Sequence, residues 1–154
     1  EETACFYTTA LLEETGADLS IQNYGGVRGN LAEGNIRPYD IYTIDPFGNG
    51  LETYSMKVSA LKTFFQSQYS MAYAGLDIRR EGSDITIRAT PGGNVLADTT
   101  QLIIAVNDYI SNTNPDTFQQ LLKRYDFTTA DYLIDFLSKQ EVAIENEGCD
   151  RSLD

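Results

Sequence analysis

The sequence predicts a mixed α+β fold: a single compact domain in which a mixed β-sheet is flanked by helices. Apolar residues recur at helical spacing in several separate stretches of the chain. Between these stretches lie short runs of strand length that are either alternating or continuously apolar. The resulting order is helix, strand, helix, strand, helix, several strands, two helices, which lacks the strict alternation of a parallel α/β sheet. At 154 residues the chain has the length for one real core. Residues 1–145 read as that domain and residues 146–154 as an acidic, mobile tail.

Thr3 to Thr15 reads as a helix stopped by Gly16. From Ala17 to Gln22, residues Ala17, Leu19 and Ile21 alternate onto one side, as in a strand. Asn30 to Asn35 is a polar turn. Pro38 opens a short helix through Ile44, because its missing N–H costs nothing at a first helical position. Leu51 to Met56 reads as a strand, and Lys57 to Gln68 as a helix carrying Val58, Leu61, Phe64 and Phe65. Tyr69 to Gly75 is ambiguous. Leu76 to Arg80 and Ile85 to Ala89 form strands around a turn, with one solvated face. Pro91 to Asn94 is another turn. Leu102 to Val106 is apolar throughout, as a central strand buried on both faces would be. Asn107 to Pro115 reads as a polar loop. Phe118, Leu121, Leu122 and Tyr125 read as a helical stripe. Thr128 or Thr129 caps a last helix with Leu133, Phe136 and Leu137 on its apolar side.

Composition excludes whole classes of chemistry. Eleven Lys and Arg face 23 Asp and Glu, a formal net charge of −12. General nucleic-acid binding needs a basic surface, so it is excluded, and any anionic ligand must be held locally against the global field. There is no histidine. That removes Ser-His-Asp and Cys-His nucleophile systems and histidine-bearing metal sites. No catalytic residue and no metal ligand is assigned. The carboxylates Glu13, Glu14, Glu52, Asp126, Asp131 and Asp135 read as solvated faces. Cys5 and Cys149 would close almost the whole chain if bridged; they read instead as a buried free thiol and a tail thiol. No run is long or apolar enough to span a membrane. The start at Glu1-Glu2 reads as a mature or truncated end.

Three loops carry the candidate site. The first is Asn23-Tyr24-Gly25-Gly26-Val27-Arg28, in which Gly25 and Gly26 let a ligand approach the backbone N–H groups. Arg28 has the fork geometry for phosphate or ribose oxygens, and Asn23 can read a ring nitrogen or hydroxyl. Taken alone, the same residues make a tight turn with a surface arginine. The second loop holds Phe47 between Pro46 and Gly48, where the ring either stacks on a base or caps the core. The third follows the buried strand and offers Tyr109 as a second ring and Asp116 as a ribose ligand. Pro115-Asp116-Thr117 equally resembles a helix start, with Asp116 as its cap.

In this order the loops resemble the C-terminal domain of the 5′-nucleotidase family, which includes UDP-sugar hydrolases and cyclic-nucleotide phosphodiesterases. Gly16-Ala17-Asp18-Leu19-Ser20-Ile21-Gln22-Asn23-Tyr24-Gly25-Gly26-Val27-Arg28 is similar to the family's Gly-Ala-Asp run ending in Gln-Asn-Gly-Gly-Gly-Ile-Arg. The stretch from Pro38-Tyr39-Asp40 to Asp45-Pro46-Phe47-Gly48-Asn49 is similar to its second motif, and Asn107-Asp108-Tyr109-Ile110 to its later Asn-Asp-Tyr-Leu. The resemblance implies that Phe47 and Tyr109 sandwich a base. It implies that Asn23 and Arg28, on the Gly25-Gly26 loop, contact the nucleoside and its phosphate side, and that Asp116 holds the ribose. Tyr24 stands where the family has glycine, and Thr113 to Phe118 replaces its Gly-Gly-Asp-Gly-Tyr.

The resemblance also implies a division of labour. Family members hydrolyse phosphate esters with two divalent metals, held in a separate N-terminal metallophosphoesterase domain that this stretch does not contain. The present chain would then be the substrate-recognition part of a phosphoric monoester hydrolase, inactive alone, with no cofactor of its own. Its partners would be a nucleotide or nucleoside and that catalytic domain, in the same chain or a separate one. The expected location is periplasmic or extracellular. The competing expectation is a degenerate scaffold or interaction domain that has lost nucleotide binding through Tyr24 and the altered Asp116 loop.

Overall fold

The computed structural model describes residues 2–145. Helix α1 (Glu2–Thr15) leads into strand β1 (Leu19–Asn23), helix α2 (Pro38–Ile44), strand β2 (Gly50–Lys57) and helix α3 (Val58–Ser67). Strands β3 (Met71–Ala74), β4 (Asp77–Glu81), β5 (Asp84–Arg88) and β6 (Gln101–Asn107) follow. Helix α4 (Asp108–Thr113), strand β7 (Gln120–Thr128) and helix α5 (Thr129–Ser138) complete the order. Five strands form one sheet in the order β3-β1-β6-β2-β7, and β4 and β5 form a separate hairpin. β1 and β6 run parallel and the other pairs of the large sheet antiparallel, so the sheet is mixed, as expected.

Strand periodicity divides the core between the two faces of the sheet. Leu19, Ile21, Tyr54, Met56, Leu102, Ile104 and Val106 pack with Phe64 and Phe65 of α3 and with the β4–β5 hairpin. On the other face Leu51 packs with Phe6, Tyr7 and Leu11 of α1, Ile41 and Ile44 of α2, and Leu133 and Phe136 of α5. Gly16, at φ +64°, ends α1 by donating its N–H to Leu12 O at 2.9 Å. β6 is central as predicted, although Ile103 keeps 41% of its surface exposed.

Several expectations are corrected. The stretch 120–128 is an edge strand rather than a helix. Phe118 is buried against Tyr54 and Phe64, with ring centroids 5.3 and 5.5 Å away, but Leu121 and Leu122 point to solvent. Their helical spacing is a coincidence produced by two register shifts against β2, between Gly50 and Glu52 and between Thr53 and Tyr54. Such bulges break the period-two pattern by which a strand is recognised. Asp116 therefore caps no helix; it lies in an exposed turn before β7. The segment after β6 is not a plain loop but α4, capped by Asn107, whose side chain accepts from Ile110 N–H. The ambiguous stretch resolves into β3, an edge strand on β1. Cys5 is not a free thiol: it is disulfide-bonded. Cys149 and the predicted acidic tail lie outside the described residues. Among the described residues no helix is long and apolar enough to cross a membrane.

Candidate functional site

The strand order brings the three loops to one end of the sheet. β1 and β6 are parallel neighbours with Ile21 opposite Val106, so Asn23 and Asn107 close the same edge. β2 runs the other way, and its start faces that edge with Leu51 opposite Asn107. The carboxyl ends of parallel strands are where such sheets place ligands.

A cavity of about 270 Å³ opens there. It is lined by Asn23, Gly25, Gly26, Arg28, Phe47, Asn49 and Tyr109. The predicted rings, amide, glycines and arginine thus share one concavity. Phe47 and Tyr109 are 46% and 54% exposed, which suits rings that wait for a partner better than rings that cap a core. Tyr24 is half-buried and does not line the cavity. Asp116 is exposed and does not line it either. Asn49 lines it and went unassigned in the sequence, although it ends the Pro46-Phe47-Gly48-Asn49 motif. A larger depression of about 760 Å³ includes Thr3, Phe6, Leu31, Leu137 and Val142 in its lining and holds none of the predicted residues. Its lining draws on residues near both ends of the described chain, Glu2 and Ile144.

Arg28 is held at its backbone, where its N–H donates to Ile44 O at 2.8 Å. Its guanidinium lies 5.1 Å from the Phe47 ring centroid, a cation–π contact that keeps the one charged group lining the cavity among the described residues at the ring. Gly48, at φ +65°, allows the chain to turn directly after Phe47. Gly26 is required for a different reason: a Cβ there would stand 2.4 Å from Gln22 Nε2 and 3.0 Å from Asn23 Oδ1.

Two buried carboxylates anchor the ring-bearing segments. Asp45, two residues before Phe47, accepts from Tyr7 Oη at 2.8 Å and Thr129 Oγ1 at 2.5 Å, both on Oδ2, while Oδ1 has no partner. It ties α1 and α5 to the end of α2. Burial, and then the neighbouring Asp45 charge, push the Tyr7 hydroxyl well above its ordinary pKa. Glu52 was read as a solvated carboxylate and is instead buried. It accepts from Tyr54 Oη and Ser111 Oγ at 2.7 Å each and from Arg124 Nε at 2.8 Å. Ser111 belongs to α4, so Glu52 holds the helix that carries Tyr109. Burial pushes the Glu52 carboxyl up, but hydrogen bonds from Ser111, Tyr54 and Arg124 outweigh it and hold its pKa below that of an ordinary glutamate. Neither carboxylate lines the cavity. Among the described residues no group of three or more Cys, Asp or Glu side chains could hold a metal ion.

Comparison with known proteins identifies the fold and the family. Residues 1–124 match the family model of the 5′-nucleotidase C-terminal domain. The NAD 5′-nucleotidase of Haemophilus influenzae is 46% identical over 55 residues, 36% of this chain and 9% of that protein. The 5′-nucleotidase of Vibrio parahaemolyticus is 31% identical over 87 residues, 51% of this chain and 15% of that protein. Among solved structures, a 5′-nucleotidase precursor from Thermus thermophilus superposes with a TM-score of 0.73 at 20% identity. It covers 93% of this chain, which spans 34% of it. The Haemophilus influenzae NAD nucleotidase superposes at 0.69 with 24% identity, covering 90% of this chain and 30% of its own. The matched parts are thus a minor share of each relative's length. Fold, motif order and family model agree, and the chain belongs to the 5′-nucleotidase C-terminal domain family.

Proposed function

We propose that this domain recognises a nucleoside or nucleotide, clamping the base between Phe47 and Tyr109. Asn23 and Asn49 would contact the base or sugar, and Arg28 would meet the phosphate side. The observation that carries the reading is the single cavity joining two exposed rings, an amide, a glycine wall and one arginine. Tyr24 lies outside the lining, which supports an open pocket over a degenerate scaffold at that position. The ribose role of Asp116 has no such support, because its turn lies off the cavity. Phosphate-ester hydrolysis, in nucleotide catabolism, would be performed by a metallophosphoesterase domain that binds the two divalent metals. The donor set, with no histidine in the chain and no metal-holding group of Cys, Asp or Glu among the described residues, does not fit that role. Export to an oxidising compartment, periplasmic or extracellular, is supported by the disulfide-bonded state of Cys5.

Calorimetry with adenosine and AMP tests the reading. Each stacking ring is expected to contribute about 1–3 kcal/mol. Phe47→Ala should weaken both ligands by roughly 5-fold or more, and Arg28→Ala should weaken AMP more than adenosine. Binding unchanged in both variants refutes the clamp. The chain alone, with divalent metal added, should not release phosphate from AMP; turnover that survives repurification would refute the division of labour.

A further inference from the structure

We infer that Asn107 is a positioning residue that sets the polarity of the cavity. It holds the Asn23 amide so that Asn23 offers only hydrogen-bond donors to a ligand, and the site therefore selects a base with an unprotonated ring nitrogen at that point. The inference rests on the base-binding reading above and names the chemistry that the base must present.

The two ends of a side-chain amide are nearly equal in shape, so only the bonds around it fix which way it faces. Here a backbone group settles the direction. Ile110 N–H can only donate, and it donates to Asn107 Oδ1 at 2.8 Å. The other end of the Asn107 amide must then be its NH₂. Asn107 is fully buried, and its Nδ2 donates to Gln22 Oε1 at 2.8 Å and to Asn23 Oδ1 at 3.0 Å. Both of its protons are used. A reversed Asn23 would set one NH₂ against another, so its oxygen, and not its Nδ2, faces Asn107. A Cβ on Gly25 would meet only Asn23 Nδ2, at 3.8 Å, and one on Gly26 would meet Oδ1 at 3.0 Å and Nδ2 at 3.2 Å, so Nδ2 is the end turned to the Gly25 side; all three residues line the cavity.

The relay also accounts for an otherwise unexplained feature. Gln22 Nε2 is buried with no partner. Because Gln22 must turn its oxygen toward Asn107, its NH₂ lies under Gly26 without a hydrogen-bond partner among the described residues. The fold carries this unsatisfied donor next to the cavity, and the orientation of Asn23 depends on the same three-amide arrangement.

Asn107→Asp inverts the relay. The carboxylate still accepts from Ile110 N–H, so the helix cap survives, but it has no donor, and Asn23 must turn its NH₂ inward and its oxygen outward. The first readout needs no ligand. NMR of the side-chain amides should find the Asn107 NH₂ protected from exchange and the Asn23 NH₂ unprotected in the wild type, with the Asn23 NH₂ becoming protected in N107D. The second readout uses adenosine and its 1-, 3- and 7-deaza analogues, each lacking one ring acceptor. The wild type should lose roughly 10-fold in affinity for one of the three. In N107D that loss should vanish, and Asn23→Asp should abolish it in the same way. A protected Asn23 NH₂ in the wild type, or an equal deaza penalty in wild type and N107D, overturns the inference. If adenosine fails to bind the wild type, the base-binding reading and the selectivity fall together, while the exchange pattern still decides the relay.

Discussion

Gly25 and Gly26 are neighbours in one motif, yet they answer to different constraints. A Cβ on Gly25 would meet nothing closer than Asn23 Nδ2 at 3.8 Å, an ordinary contact. A Cβ on Gly26 would collide with Gln22 Nε2 and crowd Asn23 Oδ1. Gly26→Ala is therefore expected to destabilise the fold by about 1–3 kcal/mol, the usual cost of overpacking, and to weaken adenosine binding by displacing Asn23. Gly25→Ala should leave the melting temperature nearly unchanged. Thermal melts of the two variants decide the point, and equal shifts would show that the crowding at Gly26 is relieved elsewhere. The site was legible in the sequence at this scale because glycine, proline and aromatic residues mark loops by their own conformational limits. Phe47 between Pro46 and Gly48 has no periodic face to join, and it stands exposed at the cavity. Asn49 and Asn107 were not legible as site residues, since an asparagine looks the same whether it caps a helix, fills a turn or lines a pocket. Glu52 was misread for a similar reason. Its partners Ser111 and Arg124 lie 59 and 72 residues away, so nothing local signals its burial.

Most elements with local signals were readable and those decided by a distant partner were not; α4 is the exception, missed although its Asn107 cap is local. Pro38 at the start of α2, Gly16 after α1 and Thr128 before α5 are short-range signals, and each lies at the boundary it predicts. The Thr128 side chain accepts from Asp131 N–H at 3.2 Å, and the Asp131 carboxylate returns to the Thr128 N–H at 3.1 Å, a reciprocal cap. β7 has no such signal, because its pairing with β2 carries two bulges and its side chains are mostly exposed. What holds it is in part charge: Glu52, opposite Arg124 in the pairing, joins β7 to β2 and to α4. The pKa of Glu52 lies below its ordinary value in the folded chain, so the folded state binds that proton less readily than the unfolded state. Its stabilisation is present above the unfolded value and is lost as pH falls through the folded one. Glu52→Gln should therefore cost about 1–3 kcal/mol near neutral pH. The gap between variant and wild type should narrow as pH drops below about 4. Urea unfolding across that range checks it; a gap independent of pH would mean that Glu52 acts by shape and not by charge.

The charge of the whole molecule sets a condition on any anionic ligand. The formal net charge is −12, while among the described residues Arg28 is the only charged one lining the cavity. A chain of 154 residues has a radius of gyration of about 15 Å, so its net charge acts on a ligand from roughly that distance. In water each unit of ligand charge would meet about 3 kcal/mol of unscreened repulsion from that net charge. Screening leaves about 2 kcal/mol of it at ~0.01 M salt and about 0.5 kcal/mol at ~0.15 M. The Arg28 attraction, about 1 kcal/mol at ~4 Å in water, acts inside the Debye length in both conditions and changes by only ~0.3 kcal/mol. Relief of the global repulsion therefore exceeds loss of the local attraction. AMP should bind at least about 10-fold more tightly at ~0.15 M than at ~0.01 M salt, while adenosine, uncharged, should be nearly indifferent. Parallel titrations of the two ligands at both salt concentrations separate the terms. If AMP affinity falls with salt, then Arg28 and its surroundings outweigh the acidic surface, and the local site has more positive potential than one arginine supplies.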